Sequence, residues 1–544
     1  MSIAALILLH AVSTAVYNIY FHPLSAYPGP ISAACTNLTY WSANVTGDLL
    51  PWIQSVHRQY GEVVRLGPNT LSYTNPDAWK DIYGHPRSNK RSGGGGGGTN
   101  SKDMLHYPAG LNGRHALNAL HSDAEHARVR RLFSPAFSEK ALKDQEPLLA
   151  TYASRLVAHI RNNTNTDTGT PLDLAKLLTC TTMDIMSTLS FGSPLGLLPP
   201  VPVPRSDGTD HDRDRGTASA EYTPWVAAIF ASTKAADLSR LTLEYPLLGL
   251  LAARLTPRRL RDEQRLHFQA AADRVDRRVE RGAGEADDGR AEGHGHGQVD
   301  MWSYVLDGRG RGREGSSGGG GGDGHEPGPG LDREDMYVNA SVFMLAGSET
   351  TATALSGLVW FLCRDAAAMG RACGEVRAAF PGGKEGEAEM TLASVRELAY
   401  LGACVKEALR LYPPLPIGPP RAVHPDGNVV CGRWVPGKTR VAVAQYTAYR
   451  SPLYFKDAEK FVPERWLPGT GYEGDRRDVM QAFSYGPRNC IGKSLAYHEM
   501  RLILAKLLWN FDFELCPESD GWINQKCYTL WQKDPLWVKA RPIR

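Results

Sequence analysis

Apolar side chains recur at helical spacing in three long stretches, Asp123 to Phe137 (DAEHARVRRLFSPAF), Leu172 to Phe191, and Asp332 to Arg364, the last being the longest such run. At 1.5 Å per residue that run predicts a helix about 50 Å long, enough to cross a whole domain. Lys493 to Phe511 repeats the pattern near the C-terminal end. Strand-like patterns are short and few: Glu62 to Pro68, Thr70 to Thr74, Asn428 to Val435 and Thr439 to Tyr446. The expected fold class is therefore mainly α with a minor β region. Three low-complexity stretches, at about 92–98, 197–221 and 308–330, are too rich in glycine or charge to bury a core of their own. Long loops add little closure entropy, so these are expected to be insertions in one large domain rather than domain linkers.

The pattern at the start of the chain is different. Ser2 to Tyr20 carries no charged side chain and approaches the ~20 residues a helix needs to cross a bilayer. It lacks a basic leading segment and runs into HPLSAYPGP instead of a small-residue cleavage site, which predicts an uncleaved transmembrane anchor over 1–21 and a stiff proline-rich spacer over 22–30. The globular body is then expected over 31–544. Composition adds two exclusions. Lys and Arg total 61 against 58 Asp and Glu, for a net charge of +3 with the signs interleaved, which gives no reason to expect a nucleic-acid partner. Nine scattered cysteines with no CxxC favour a reducing compartment over a disulfide framework.

Cys490 therefore needs its own explanation, and its neighbours offer one. In Phe483 to Gly492, FSYGPRNCIG, Gly486 and Gly492 would let backbone approach a flat ligand, and Pro487 stiffens the turn. Arg488 offers a planar donor fork suited to a carboxylate. The helix expected after Cys490 would favour its thiolate, a form that binds metal. A second constellation, Ala346 to Thr351 (AGSETT), sets an acid beside an alcohol in the long helix, as proton delivery requires, although such residues also serve ordinary packing. Two more are basic. Glu407 and Arg410 in VKEALRLYPP share one helix face ahead of FVPERW, which carries Arg465, and HARVRRLF places His126 and Arg130 on another helix.

FSYGPRNCIG resembles the heme-ligand loop FxxGxRxCxG of the cytochrome P450 family, the heme-thiolate monooxygenases, and the other motifs follow in family order. The resemblance implies a single P450-like domain with a long central helix and a cysteine-ligand loop. It implies heme b (iron protoporphyrin IX) with Cys490 as axial iron ligand, Phe483 packed over the loop, and Arg488, Arg130, His126 and Arg421 toward the propionates, His126 standing where the family usually has tryptophan. Gly347 would leave space for dioxygen, with Glu349 and Thr350 catalytic in proton delivery. Glu407, Arg410 and Arg465 would form a structural network. The resemblance is to microsomal members from filamentous fungi, which implies an endoplasmic reticulum membrane location with a single-pass anchor in the bilayer and the catalytic domain facing the cytosol. Because the chain ends soon after Cys490, electrons from NADPH are expected through a separate membrane NADPH–hemoprotein reductase. The implied activity is hydroxylation or epoxidation of an apolar small molecule with O2 as cosubstrate, in secondary-metabolite biosynthesis. Alternatives are a xenobiotic or aromatic-acid hydroxylase, an O2-independent heme-thiolate isomerase or dehydratase, and a non-catalytic heme sensor. The substrate pocket is expected from 101–121, 223–248, 341–347, 414–419 and 528–531.

Overall fold

The longest periodic run becomes one helix, Arg333–Arg364, whose N-cap Asp332 accepts from the Asp335 N–H at 2.8 Å. Apolar residues occupy every side of it, and nearly all from Met336 to Leu362 are buried, as expected of a helix at the centre of a core. The computed structural model describes residues 2–85, 99–164, 170–198, 225, 228–229, 237, 240–241, 243–245, 258–281, 300–310 and 330–543. The low-complexity stretches lie outside these, apart from 197–198, 308–310 and 330.

Helices stack on the central one from several sides. Leu174–Phe191 is buried along almost its whole length. Its internal Asp184 is matched by the Leu195, Leu197 and Leu198 backbone N–H groups, which the turn after Gly192 folds back onto it. Close approach requires glycine at two points: a Cβ on Gly347 would meet Met186 Sδ at 2.5 Å, and one on Gly357 would meet the Tyr412 ring at 2.4 Å. The helices Glu139–Asn163, Ala399–Leu411 and Lys493–Asn510 complete a single apolar cluster with members from Leu50 to Ala540. The run predicted from Asp123 ends as an α-helix at Phe133 and continues as a 3₁₀ turn, Ser134–Phe137, because Pro135 cannot donate to the helical ladder.

The β region consists of β1 (Val63–Gly67), β2 (Thr70–Tyr73), β3 (Ser101–Lys102), β4 (Pro171–Asp173), β5 (Arg421–Ala422), β6 (Asn428–Val430), β7 (Arg433–Val435), β8 (Arg440–Val443), β9 (Phe511–Leu515), β10 (Cys527–Tyr528), β11 (Leu530–Trp531) and β12 (Trp537–Pro542). One sheet runs β1-β2-β8-β5-β3, parallel only between β2 and β8, and another runs β4-β12-β9. The strand expected to reach Tyr446 stops at Val443. Gln445–Tyr449 turns helical instead, presenting the Tyr449 carbonyl to Arg410 at 2.6 Å.

The N-terminal pattern is only partly free of this body. Ile3–Val16 is helical with an exposed apolar surface including Leu6, Ile7, Leu8, Leu9 and Val12. Asn18, expected inside the anchor, is buried against the body, donating to the Cys35 carbonyl at 3.1 Å while its own carbonyl accepts from Arg65 at 2.8 Å. The expected spacer is likewise docked: Leu24 and Tyr27 are buried, Tyr27 donates to the Trp434 carbonyl at 3.0 Å, and Arg433 lies 4.2 Å over its ring. Among the described residues, Arg333–Arg364 alone is long and apolar enough to cross a membrane, and it is the buried core helix.

Candidate active site around Cys490

The loop that carries Cys490 is held from both of its ends. Within it, the Cys490 N–H donates to the Phe483 carbonyl at 2.9 Å and the Asn489 N–H to the Gly486 carbonyl at 3.1 Å. Gly486 has φ +76°, and a Cβ there would lie 2.0 Å from the Tyr83 carbonyl oxygen. Its glycine is therefore required by the protein's own backbone, whereas a Cβ on Gly492 would make an ordinary 3.7 Å contact with Phe137. Phe483 lies beside Tyr497, ring centroids 5.2 Å apart. The approach to the loop is pinned by Trp79, which donates to the Val479 carbonyl at 2.9 Å, and by the Tyr449 hydroxyl, which accepts from the Gln481 N–H at 2.8 Å.

Below that approach, the three residues expected to form a network do so. Glu407 accepts five hydrogen bonds: from Arg410 Nη2 at 2.7 Å and Nε at 2.9 Å, and from Arg465 Nε, Trp466 Nε1 and the Val462 N–H, each at 2.9 Å. All three charged side chains are fully buried. Burial pushes the Glu407 carboxyl up, and the Arg410 and Arg465 guanidiniums more than reverse this, so it lies below the usual value. Arg410 also takes the Tyr449 and Ala458 carbonyls, each at 2.6 Å, so the network fastens the segment leading to the loop.

The cysteine itself is accessible, yet the surrounding protein is dense enough for burial to be the main influence on its thiol. The sulfur therefore opens onto an interior space. Burial raises the thiol above its ordinary value, while the Gly492 N–H, Arg130 and Lys493 pull it down without prevailing. The expectation of a thiolate is thus corrected for the protein alone: the helix start favours it and the apolar surroundings do not. A coordinating metal ion would deprotonate such a thiol outright.

Cations gather on the neighbouring wall. Lys102 and Arg421 are direct cross-strand partners in β3 and β5, a like-charge pairing that is normally destabilising. Arg488 presses on both, and His126 feels Arg488, Arg130, Lys102 and Arg421 together. Burial first, and then these cations, lower His126 to about 4. Contrary to the usual expectation for a histidine on a basic helix, His126 is buried. Arg488 and Arg130 are already engaged with protein. Arg488 donates to Asp123 at 2.9 Å and to the Leu120 and His121 carbonyls, and Arg130 donates to the Asn489 carbonyl at 2.6 Å and side chain at 2.9 Å. Arg421 Nε and His121 Nε2, by contrast, are buried with no partner among the described residues. A cluster rich in cations, with an unpaired donor on Arg421, fits a group bearing carboxylates beside the cysteine. Lys102 and His121 were missed as individual members, and only their place in the 101–121 stretch hinted at them.

On the central helix, Ala346 is exposed and Gly347 and Thr350 half-exposed amid buried neighbours, so this stretch also faces interior space. The Thr350 hydroxyl donates to the Ala346 carbonyl at 2.6 Å. A Cβ on Gly347 would run into Met186, so close helix packing requires glycine here. Glu349 is turned into the core, 2.7 Å from Lys533 Nζ and accepting from Thr353 at 3.2 Å. Burial raises its carboxyl, and Lys533 and Thr353 offset only part of that. Lys506 of the Lys493–Asn510 helix pairs with Glu387 at 3.0 Å, whereas the fully buried Glu499 of that helix has only the Thr351 hydroxyl to oppose its burial and no cation among the described residues. Of the expected substrate-lining stretches, 223–248 is described only at scattered positions, among them Asp237 and Arg240, which meet Thr529 of the 528–531 turn at 2.9 and 3.0 Å.

Comparison with known proteins agrees with this geometry. The family described as "Cytochrome P450" matches residues 44–536. The chain is 41% identical over 535 residues to "Cytochrome P450 monooxygenase FUM2" of Gibberella moniliformis, covering 97% of this chain and 100% of that protein. It is 39% identical over 535 residues to "Cytochrome P450 monooxygenase AMT3" of Alternaria alternata, covering 98% and 97%. To "Cytochrome P450 monooxygenase efuB" of Hormonema carpetanum the identity is 36% over 536 residues, covering 98% and 94%.

Proposed function

Because the chain belongs to the cytochrome P450 family, oxygen-incorporating oxidoreductases that use heme b, O2 and NADPH-derived electrons passed on by a reductase, we propose that it hydroxylates or epoxidises an apolar small molecule in fungal secondary-metabolite biosynthesis. The observation that carries the site assignment is the accessible Cys490 thiol opening onto interior space beside a buried cluster of cations that includes an unpaired Arg421 donor. Cys490 would hold the iron, and Arg421, Lys102, His126 and Arg488 would face the propionates. Arg130 acts one step back, fixing Asn489 and so the position of Cys490. Phe483 and Tyr497 keep water from the sulfur's protein side, an influence on redox potential.

The bound heme supplies an iron that activates dioxygen, with the thiolate favouring O–O cleavage. The chain's own task on the opposite side is proton delivery. Thr350, half-exposed at the interior face, can exchange its bond to the Ala346 carbonyl for one to an incoming oxygen atom. Glu349, the adjacent acid, is the proton source behind it. The exposed apolar surface of Ile3–Val16 supports anchoring in the endoplasmic reticulum membrane beside a membrane-bound reductase, with the catalytic body facing the cytosol.

The expected ferrous carbon monoxide spectrum shows the strongly red-shifted Soret band of a thiolate-ligated heme, and Cys490→Ala abolishes it. Retention of that band in the variant would overturn the Cys490 assignment. Thr350→Ala should continue to oxidise NADPH while product falls. Fully coupled turnover in that variant would remove Thr350 from proton delivery.

A further inference from the structure

Glu349 is only 1% exposed, so a proton can reach it only through a polar neighbour. Two stand within hydrogen-bond distance. Thr353, on the same helix, is itself buried and can pass on only what it receives. The other is Lys533, whose Nζ lies 2.7 Å from Glu349 Oε1 and donates to Thr353 Oγ1 at 2.9 Å. Lys533 serves both partners, and the second carboxylate oxygen, Oε2, is buried with no hydrogen-bond partner among the described residues. Tyr412, at the end of the Ala399–Leu411 helix, also feels the Glu349 charge, but its hydroxyl is committed to Gln525 Oε1 at 2.7 Å.

The chain holds Lys533 in place on both sides. Before it, Trp531 donates to the Pro413 carbonyl at 2.8 Å and stacks on Tyr412, with centroids 4.7 Å apart. After it, the Asp534 carbonyl accepts from Trp522 at 2.7 Å and the Leu536 N–H donates to Asp173 at 3.0 Å. Gln532, Asp534 and Pro535 are exposed. Lys533 therefore has a backbone at the surface and an ammonium 7% exposed at the core, which joins solvent to an otherwise sealed acid.

We infer that Lys533 is a positioning residue of the oxygenase: it holds the Glu349 carboxylate in its buried seat and hands it protons from the C-terminal loop. In the transfer, an N–H bond of the Lys533 ammonium breaks as an O–H bond forms on Glu349, leaving a neutral amine and a carboxylic acid. The amine then takes a proton from a hydronium ion of the solvent at the loop, leaving water. Glu349, neutral and released from its ion pair, is free to turn toward Thr350.

This inference rests on the proposed oxygenase reading, and the test separates the two. In the full-length, heme-loaded protein, the ferrous carbon monoxide band of the unmutated chain reports on that reading. Its absence would reject the oxygenase assignment itself. With the band present, Lys533→Met, Lys533→Gln and Lys533→Arg are compared. In the Met and Gln variants an infrared carboxylic-acid C=O band, assigned by its disappearance on adding Glu349→Gln, should grow, because a buried carboxylate without its cation takes up a proton. Product formed per NADPH should fall on the order of tenfold or more. Arg keeps the cation but cannot release a proton, so it should suppress the band while coupling stays low, and full recovery of coupling with Arg would overturn the hand-over. An unchanged infrared spectrum and coupling ratio in the Met and Gln variants, or equal loss in all three variants without the carboxylic-acid band, would overturn the role.

Discussion

Two buried charge clusters flank the cysteine loop, and they are finished to different degrees. Around Glu407 the arrangement is complete: five donors converge on two oxygens, and the guanidiniums spend their remaining donors on backbone carbonyls and, for Arg465, on the Asp475 carboxylate as well. Around Lys102, Arg421 and His121 it is incomplete: like charges face each other across β3 and β5, and Arg421 Nε and His121 Nε2 have no partner among the described residues. A satisfied network rigidifies, and an unsatisfied one is costly unless something else completes it. The first is therefore a fastening of the fold, while the second marks where a ligand belongs.

The largest way to break the first cluster is Arg410→Ala, which leaves the Glu407 charge buried with two donors gone. Removing one partner of such a pair costs about 3–5 kcal/mol. Thermal unfolding and holoprotein yield should both show the loss, and a variant of native stability would disprove the fastening role.

Glu499 sharpens the comparison because it is a buried carboxyl of the opposite kind, raised to about 8 by burial with no cation beside it. Its unfolded counterpart releases a proton near pH 4.5, so between there and pH 8 the folded state binds more protons and stability falls as pH rises. Glu499→Gln should therefore be nearly neutral at pH 5 and increasingly more stable than the parent toward pH 8, by up to about 4 kcal/mol. The buried histidines His57, His106, His126 and His267, all lowered to about 4, lose stability on the acid side instead, but they are common to both proteins and cancel in the difference. A gap in melting temperature that does not vary with pH would contradict this.

The smallest effect is expected at the incomplete cluster. Arg421→Met relieves a like-charge pair, so the heme-free protein should be unchanged or more stable by up to about 1 kcal/mol. Heme should nevertheless escape several-fold faster to a scavenging apoprotein. Loss of stability without faster escape would make Arg421 a structural cation like Arg410.

Much of the complete cluster was legible in the sequence, because Glu407, Arg410 and Arg465 lie in short motifs whose residue types state their chemistry. The long helix and the strands β1 and β2 were legible because burial on every side demands a long apolar run of the first and short β-branched or aromatic runs of the others. The pairings that tune the site were not. Lys533 reaches Thr353 across 180 positions, Met186 packs against Gly347, and Lys102 meets Arg421 only because two two-residue strands happen to align. No spacing rule encodes such contacts, and strands that short leave no alternation to read. The docking of residues 18 to 30 was hidden differently, because an apolar run followed by prolines looks the same whether it projects or packs.

The bond between Arg130 and Asn489 joins residues 359 positions apart, and it bears on when the site can exist. At about 5–20 residues per second, synthesis reaches Asn489 roughly 20–70 s after Arg130. Through that interval the helix bearing Arg130 has emerged while the loop it will clamp is still untranslated. Loading with cofactor is accordingly an event of the finished polypeptide, and a nascent chain stalled before position 489 should emerge from the ribosome unable to retain heme.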